Sequence, residues 1–228
     1  MATSPFKLLD DYTKEDKDIF FGREREIEEL YQKLFDSKTL VVYGVSGTGK
    51  TSLINCGMAN KLQESDWFPI SIRRGKDITT SLLDELKSVE GNENFKKGKS
   101  NQGTIIKTIR SIYLDHFKPI YLLFDQFEEI FIFGTKDERK EFAEIIKSIL
   151  ESELSCKIIF VIREEYLASL TELEELITNI LQNRFRVERM NRHNAINVIE
   201  GPCKKFGITV EENFANSLLE KLGEGGTN

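Results

Sequence analysis

The chain has 228 residues, 39% of them hydrophobic and 16 of them Phe, which is enough apolar material for a sizeable core; with only 15 Gly and 4 Pro it is not a low-complexity chain. A net charge of −6 and a pI near 5.3 argue against a general electrostatic grip on nucleic acid and leave room only for a local basic patch. No apolar run approaches the roughly 18 residues of a membrane span, and residues 1–10 lack the charged-then-apolar order of a signal peptide, so a cytoplasmic protein without a membrane partner is expected.

Apolar runs alternate with helical patterns along most of the chain, the signature of an α/β fold with a parallel sheet. The first helix is expected over Arg23–Phe35, with Ile27, Leu30, Tyr31 and Leu34 on one face. A strand at Thr39–Tyr43 and a helical stretch at Thr51–Leu62 follow. Next come a strand at Phe68–Ile72 and a helix at Ser81–Val89. Glu90–Gly103 is polar and reads as a surface loop, its Lys96, Lys97 and Lys99 solvated rather than forming a phosphate track. A helix at Thr104–Phe117 leads to a strand at Pro119–Phe124. Thr135 and Glu138 fit a capping box ahead of Phe142, Ile145, Ile146 and Ile149, which recur at helical spacing. Strands at Lys157–Ile162 and Phe185–Val187 complete five. The runs Ile120–Phe124 and Ile158–Ile162 do not alternate, as expected of strands covered by helices on both faces. A second region opens at Asn191, which caps a helix carrying Ala195, Ile196, Val198 and Ile199. Gly201 and Pro202 are expected to interrupt it, and Glu211–Leu222 forms another helix. Residues 1–190 thus read as one domain, and 191–228 as the start of a helical subdomain.

Cys56, Cys156 and Cys203 are scattered and odd in number, and His116 and His193 lack metal-ligand spacing. Buried, reduced thiols are expected rather than a disulfide framework or a zinc site.

Gly44-Val45-Ser46-Gly47-Thr48-Gly49-Lys50-Thr51 fits the pattern GxxxxGK[ST], a chance match of order one in a hundred at a glycine usage of about 7%. It lies between an expected strand and an expected helix, as its mechanism requires. Its glycines let successive backbone N–H groups turn around phosphate oxygens, and the helix N-terminus adds its positive end. Lys50 is then expected to reach the β- and γ-phosphates, Thr51 to ligate Mg²⁺, and Ser52 to touch the α-phosphate. Asp125 ends the apolar strand Ile120–Phe124, where a carboxylate holds Mg²⁺ directly or through water. Taken alone, it would read as a helix cap. Arg163 occupies the same end of Ile158–Ile162 and either reads a γ-phosphate or pairs with Glu128, Glu129 or Glu165.

Ser4-Pro-Phe6, Asp16–Phe20, Phe21-Gly-Arg-Glu24, the phosphate loop, Leu123-Phe-Asp-Gln-Phe-Glu-Glu-Ile-Phe131, Val161-Ile-Arg-Glu164 and Glu200-Gly-Pro202 occur in that order. The order resembles the bacterial STAND ATPases, in particular the novel STAND group, relatives of AAA+ proteins. The resemblance runs from about Ser4 to Gly223. It implies a five-stranded parallel sheet of the P-loop NTPase type, ordered 5-1-4-3-2, and a nucleotide-operated switch. Such proteins hold ADP in a closed monomer, exchange it for ATP on sensing a ligand, and oligomerise to activate a partner domain. Members act in transcriptional control, programmed cell death and anti-phage defence. On the same resemblance Phe21, Gly22 and Arg23 line the adenine side and Pro202 closes over the base. Left to themselves, Gly22-Arg-Glu reads as a helix start and Gly201-Pro202 as a kink.

Two departures from the family pattern matter. Many relatives place an acidic residue directly after the Asp125 position to orient water, and here Gln126 stands there. A carboxylate base would have to be Glu128 or Glu129. Relatives also continue into a winged-helix domain and a repeat sensor, often behind an effector domain, so this sequence reads as a truncated form. The leading expectation is a slow Mg²⁺-dependent ATPase switch binding ATP or ADP. Its alternatives are a nucleotide-locked assembly scaffold and an origin-loader-like AAA+ ATPase acting on DNA.

Overall fold

In the computed structural model, residues 4–7, 10–91, 102–211 and 213–224 are described. Each of the five apolar runs forms a strand: β1 (Thr39–Gly44), β2 (Phe68–Arg73), β3 (Ile120–Asp125), β4 (Cys156–Arg163) and β5 (Arg184–Arg186). All pairings are parallel, in the order β2-β3-β4-β1-β5, which is the implied order read from its other edge. β3 is buried at every position and β4 at all but Lys157 and Arg163, so these central strands read as unbroken apolar runs. β2 lies at the edge and alternates in its burial.

The α-helices are α1 (Glu24–Lys33), α2 (50–61), α3 (Ile78–Glu90), α4 (Gln102–His116), α5 (Glu129–Ile132), α6 (Lys136–Glu151), α7 (Thr171–Glu174), α8 (Arg192–Lys205) and α9 (Phe214–Glu224). Chain contacts divide the protein into two compact units. The sheet unit comprises Gln32–Ser46 and Leu62–Arg186; the helical unit comprises Met1–Tyr31, Gly47–Lys61 and Val187–Asn228.

The core of the sheet unit centres on an aromatic cluster. Phe124, Phe127, Phe142 and Phe160 are all buried, with ring centroids 4.6 Å apart for Phe127–Phe160 and 5.1 Å for the edge-on pair Phe124–Phe142. Polar ties fix the periphery. The Lys157 ammonium donates to the Leu34 and Ser37 carbonyls at 2.7 and 3.0 Å, and its burial lowers its pKa. Asn183 donates to the carbonyls of Lys33 and Thr39.

Local signals held in part. Thr135 caps α6 by accepting from the Glu138 amide, but Glu138 does not close the box. Its carboxylate takes a two-pronged ion pair from Arg74, with both contacts at 2.9 Å, and accepts from the Ile78 amide. A long-range partner with two donors outcompetes a local backbone amide. α3 begins earlier than its apolar spacing implied, because Asp77 caps it through the Thr80 amide. At the ends of the expected loop Glu90–Gly103, Glu90 closes α3 and Gln102 opens α4. Lys96, Lys97 and Lys99 lie outside the described residues.

In the helical unit, α2 contains a π-helical segment, Leu53–Met58, between two α-helical turns. Asn191 caps α8 through the Asn194 amide, as its sequence implied. The expected interruption at Gly201-Pro202 does not occur: α8 runs through both residues to Lys205. Proline forfeits one helical hydrogen bond, but Pro202 and Cys203 are buried and Gly201 seats against Phe21, which offsets that loss. α9 starts at Phe214, after Asn213 in the left-handed region (φ 67°), rather than at Glu211. All three cysteines are buried and free; burial pushes the Cys56 thiol up to about 11 and Cys156 up to about 12, which disfavours the nucleophilic thiolate.

Candidate functional site

β1 ends at Gly44 and α2 begins at Lys50, so the eight-residue motif is a strand-to-helix connection. Gly47 and Gly49 adopt φ of 77° and 81°, a region that L-residues avoid, and no atom lies within 4 Å of where either Cβ would stand. Backbone conformation, not crowding, therefore demands glycine at both positions, and the space a side chain would fill is open. That open cradle is what a polyphosphate requires. Ser46, Gly47 and Gly49 are exposed, Val45, Lys50 and Thr51 are half-buried, and Thr48 and Ser52 are buried. The Ser52 hydroxyl accepts from the Tyr12 amide at 3.1 Å, which fixes its oxygen while its proton can still be donated.

Arg23 is only 3% exposed. Its Nη2 donates to the Thr48 carbonyl at 2.9 Å and to the Glu188 carbonyl at 3.0 Å, while Nη1 pairs with Glu26 at 2.6 Å. One guanidinium thus joins the back of the phosphate loop to the chain leading into α8. The neighbouring residues are packed against α8 itself. A Cβ on Gly22 (φ 77°) would stand 2.6 Å from the Asn194 carbonyl oxygen, and one on Gly201 would stand 2.7 Å from the Phe21 ring. The structure therefore brings the Phe21-Gly22 motif and the Gly201-Pro202 motif, some 180 positions apart in sequence, into contact within the helical unit.

In the sheet unit, the carboxyl ends of the strands carry the remaining candidates. Arg163 pairs in register with Gly44, and Asp125 with Arg73. Asp125 is buried, and its Oδ2 accepts from Arg73 Nε at 3.0 Å and Nη2 at 2.6 Å. Arg73 was not singled out in the sequence. The available signal was its position at the end of an apolar strand, the same placement that drew attention to Arg163. Gln126 adopts φ 53°, so the chain turns over residues 126–128 rather than starting a helix there. That turn aims the 4%-exposed Glu128 at Arg163: Oε1 lies 2.9 Å from Arg163 Nε, and Oε2 accepts from the Arg163 amide at 3.2 Å. The ion-paired alternative for Arg163 is thus the arrangement present, with its side chain still half exposed. Glu129 opens α5 and is half-buried. Next to these, Glu164 pairs with Arg186 at the end of β5 at 3.0 Å. Among the described residues no group of three His, Cys, Asp or Glu side chains is arranged to hold a metal, and no helix is long and apolar enough to cross a membrane.

The model of the novel STAND NTPase 1 family matches residues 5–227. The chain belongs to that family. As a novel STAND NTPase, it shares its fold with P-loop ATPases of known structure. The Walker-type ATPase of Pyrococcus abyssi superposes with a TM-score of 0.66 at 14% identity, covering 93% of this chain and 66% of that one. The ORC2 protein of Aeropyrum pernix, solved with ADPNP and ADP, gives 0.60 at 12% identity, covering 80% and 52%. The ORC1 protein of the same organism, solved with DNA, gives 0.56 at 13%, covering 82% and 50%. The chain spans about half to two thirds of the length of these structures, and at such identities the likeness is one of fold. Among curated proteins, none matches the sequence.

Proposed function

We propose that this novel STAND NTPase is a nucleotide-operated switch module that binds ATP and ADP with Mg²⁺ and hydrolyses ATP slowly. The observation that carries the reading is the phosphate loop, with left-handed, unobstructed Gly47 and Gly49 leading into Lys50 at the start of α2. In this reading Gly44 through Gly49 present backbone amides to the phosphates. Lys50 supplies charge, Thr51 and Asp125 serve the metal, and Ser52 donates to the α-phosphate. Mg²⁺ would screen the phosphate charge and orient the γ-phosphate for in-line attack. Phe21, Gly22, Arg23 and Pro202 form the base side, with Arg23 positioning the loop through Thr48. Residues 1–190 act as the NTPase domain and 191–228 as the start of its helical subdomain. A cytoplasmic role in signal transduction or antiviral defence, with self-association of a longer form bearing sensor and effector domains, follows from the family resemblance.

Gln126 cannot accept a proton, so water activation falls to Glu128 or Glu129. Glu128 is committed to Arg163, which makes a slow enzyme natural: the pair must rearrange before Glu128 can take a proton. Single-turnover hydrolysis of Glu128→Gln and Glu129→Gln, with ATP affinity measured in parallel, assigns the base. A large rate loss with intact binding identifies it, and wild-type rates in both remove these residues from the mechanism.

The central test is calorimetry. Lys50→Ala should lower ATP affinity tenfold or more, a loss of about 1.5–3 kcal/mol; equal affinity removes the reading. ADP should also slow amide exchange over residues 191–206 if that region closes on the base. A role on DNA has fold likeness as its support, and a salt-sensitive gel shift tests it.

A further inference from the structure

Oδ2 of Asp125 already accepts two charged hydrogen bonds from one guanidinium, at 2.6 and 3.0 Å. The two residues end neighbouring parallel strands in direct register, so the sheet itself places them side by side. Their solvent environments are unequal: the Asp125 side chain is 9% exposed and that of Arg73 is 55% exposed. The carboxylate is held in place at the end of a fully buried strand. The Arg73 side chain, by contrast, already meets water over more than half of its surface.

We infer that Arg73 is a positioning residue that competes with Mg²⁺ for the Asp125 carboxylate, and so sets how much metal nucleotide binding requires. The inference rests on the proposed role of Asp125 toward the metal. With Mg²⁺ bound, Asp125 would hold the metal, directly or through water, and the Arg73 guanidinium would give up its hold on the carboxylate and turn toward solvent. No bond is made or broken covalently; one cation is exchanged for another.

The test is ATP binding by calorimetry across a Mg²⁺ series that starts in chelator, using wild type, Arg73→Gln and Arg73→Lys. In Arg73→Gln the Mg²⁺ concentration for half-maximal enhancement of ATP binding should fall about two- to fivefold, the scale of a partly exposed ion pair. Its affinity for ATP in chelator should fall, because Asp125 is left without this counter-charge. Arg73→Lys keeps the charge but loses the two-donor fork, so its midpoint should lie between the other two. If Arg73→Gln fails to fold by circular dichroism, the Arg73→Lys midpoint decides alone. A Mg²⁺ midpoint equal to or above that of wild type in the folded variants overturns the inference while leaving the metal role of Asp125 standing. A wild type whose ATP affinity is indifferent to Mg²⁺ overturns that role, and the inference with it.

Discussion

The two units hold their functional residues by different means. In the sheet unit, side chain meets side chain at the strand ends: Arg73 with Asp125, Arg163 with Glu128, Arg186 with Glu164. In the helical unit each of the close fits involves backbone atoms on at least one side. Arg23 reaches two carbonyls, Gly22 abuts the Asn194 carbonyl, and Gly201 lies against the Phe21 ring. An ion pair with an exposed member can rearrange, whereas a glycine in close contact with another backbone admits no substitute. Adaptable chemistry sits at the edge of a rigid sheet, and fixed steric fits join the helices.

The largest effect should come from the sheet core. Phe160→Ala removes a fully buried ring from the aromatic cluster and should cost about 3–5 kcal/mol in urea unfolding. Hydrogen exchange sharpens the comparison: protection should fall first in β3 and β4, and equal loss in α8 would show that the two units unfold together.

Gly22→Ala should come next, at about 2–4 kcal/mol, from a left-handed backbone plus a Cβ forced against a carbonyl. Gly47→Ala shares the same φ without the crowding, so its thermal stability should fall by only about 1 kcal/mol. Equal destabilisation of the two variants would break the claim that close backbone approach distinguishes the helical unit.

Glu138→Gln should cost about 2 kcal/mol, because Arg74 is largely buried and loses its charged partner. The same carboxylate raises the Arg74 pKa through its hydrogen bonds, against the lowering effect of burial. Denaturant titration of Arg74→Ala, Glu138→Gln and the double variant would measure that coupling.

The smallest effect concerns pH. Burial alone would raise the Asp16 pKa, but hydrogen bonds from Lys7 and Thr13 outweigh it and hold the carboxyl below its ordinary value. Its stabilising contribution is therefore complete above about pH 4 and lost as pH falls through the depressed value. Asp16→Asn should narrow the stability difference between pH 7 and pH 3 by under about 1 kcal/mol in paired thermal melts. An unchanged difference would remove Asp16 from the acid response.

Sequence by itself determined the five strands, the glycine-rich strand-to-helix turn and the place of Asp125 at the end of β3, because each depends on local signals. Short apolar runs bounded by polar turns match strands in length and, where they do not alternate, strands covered on both faces, and a glycine-spaced turn before a helix has few other uses. The caps at Thr135 and Asn191 were likewise visible, since a cap is a contact between residues three apart. What only the tertiary structure decided lies between distant segments. Glu138 is drawn away from its local box by Arg74, and Pro202 stays helical because its surroundings bury it. The left-handed Gln126 turn selects Glu128 as the partner of Arg163, and register across β2 and β3 delivers Arg73 to Asp125. Each of those outcomes is a competition between a local preference and a partner many residues away, and one sequence read along its length shows only the first competitor.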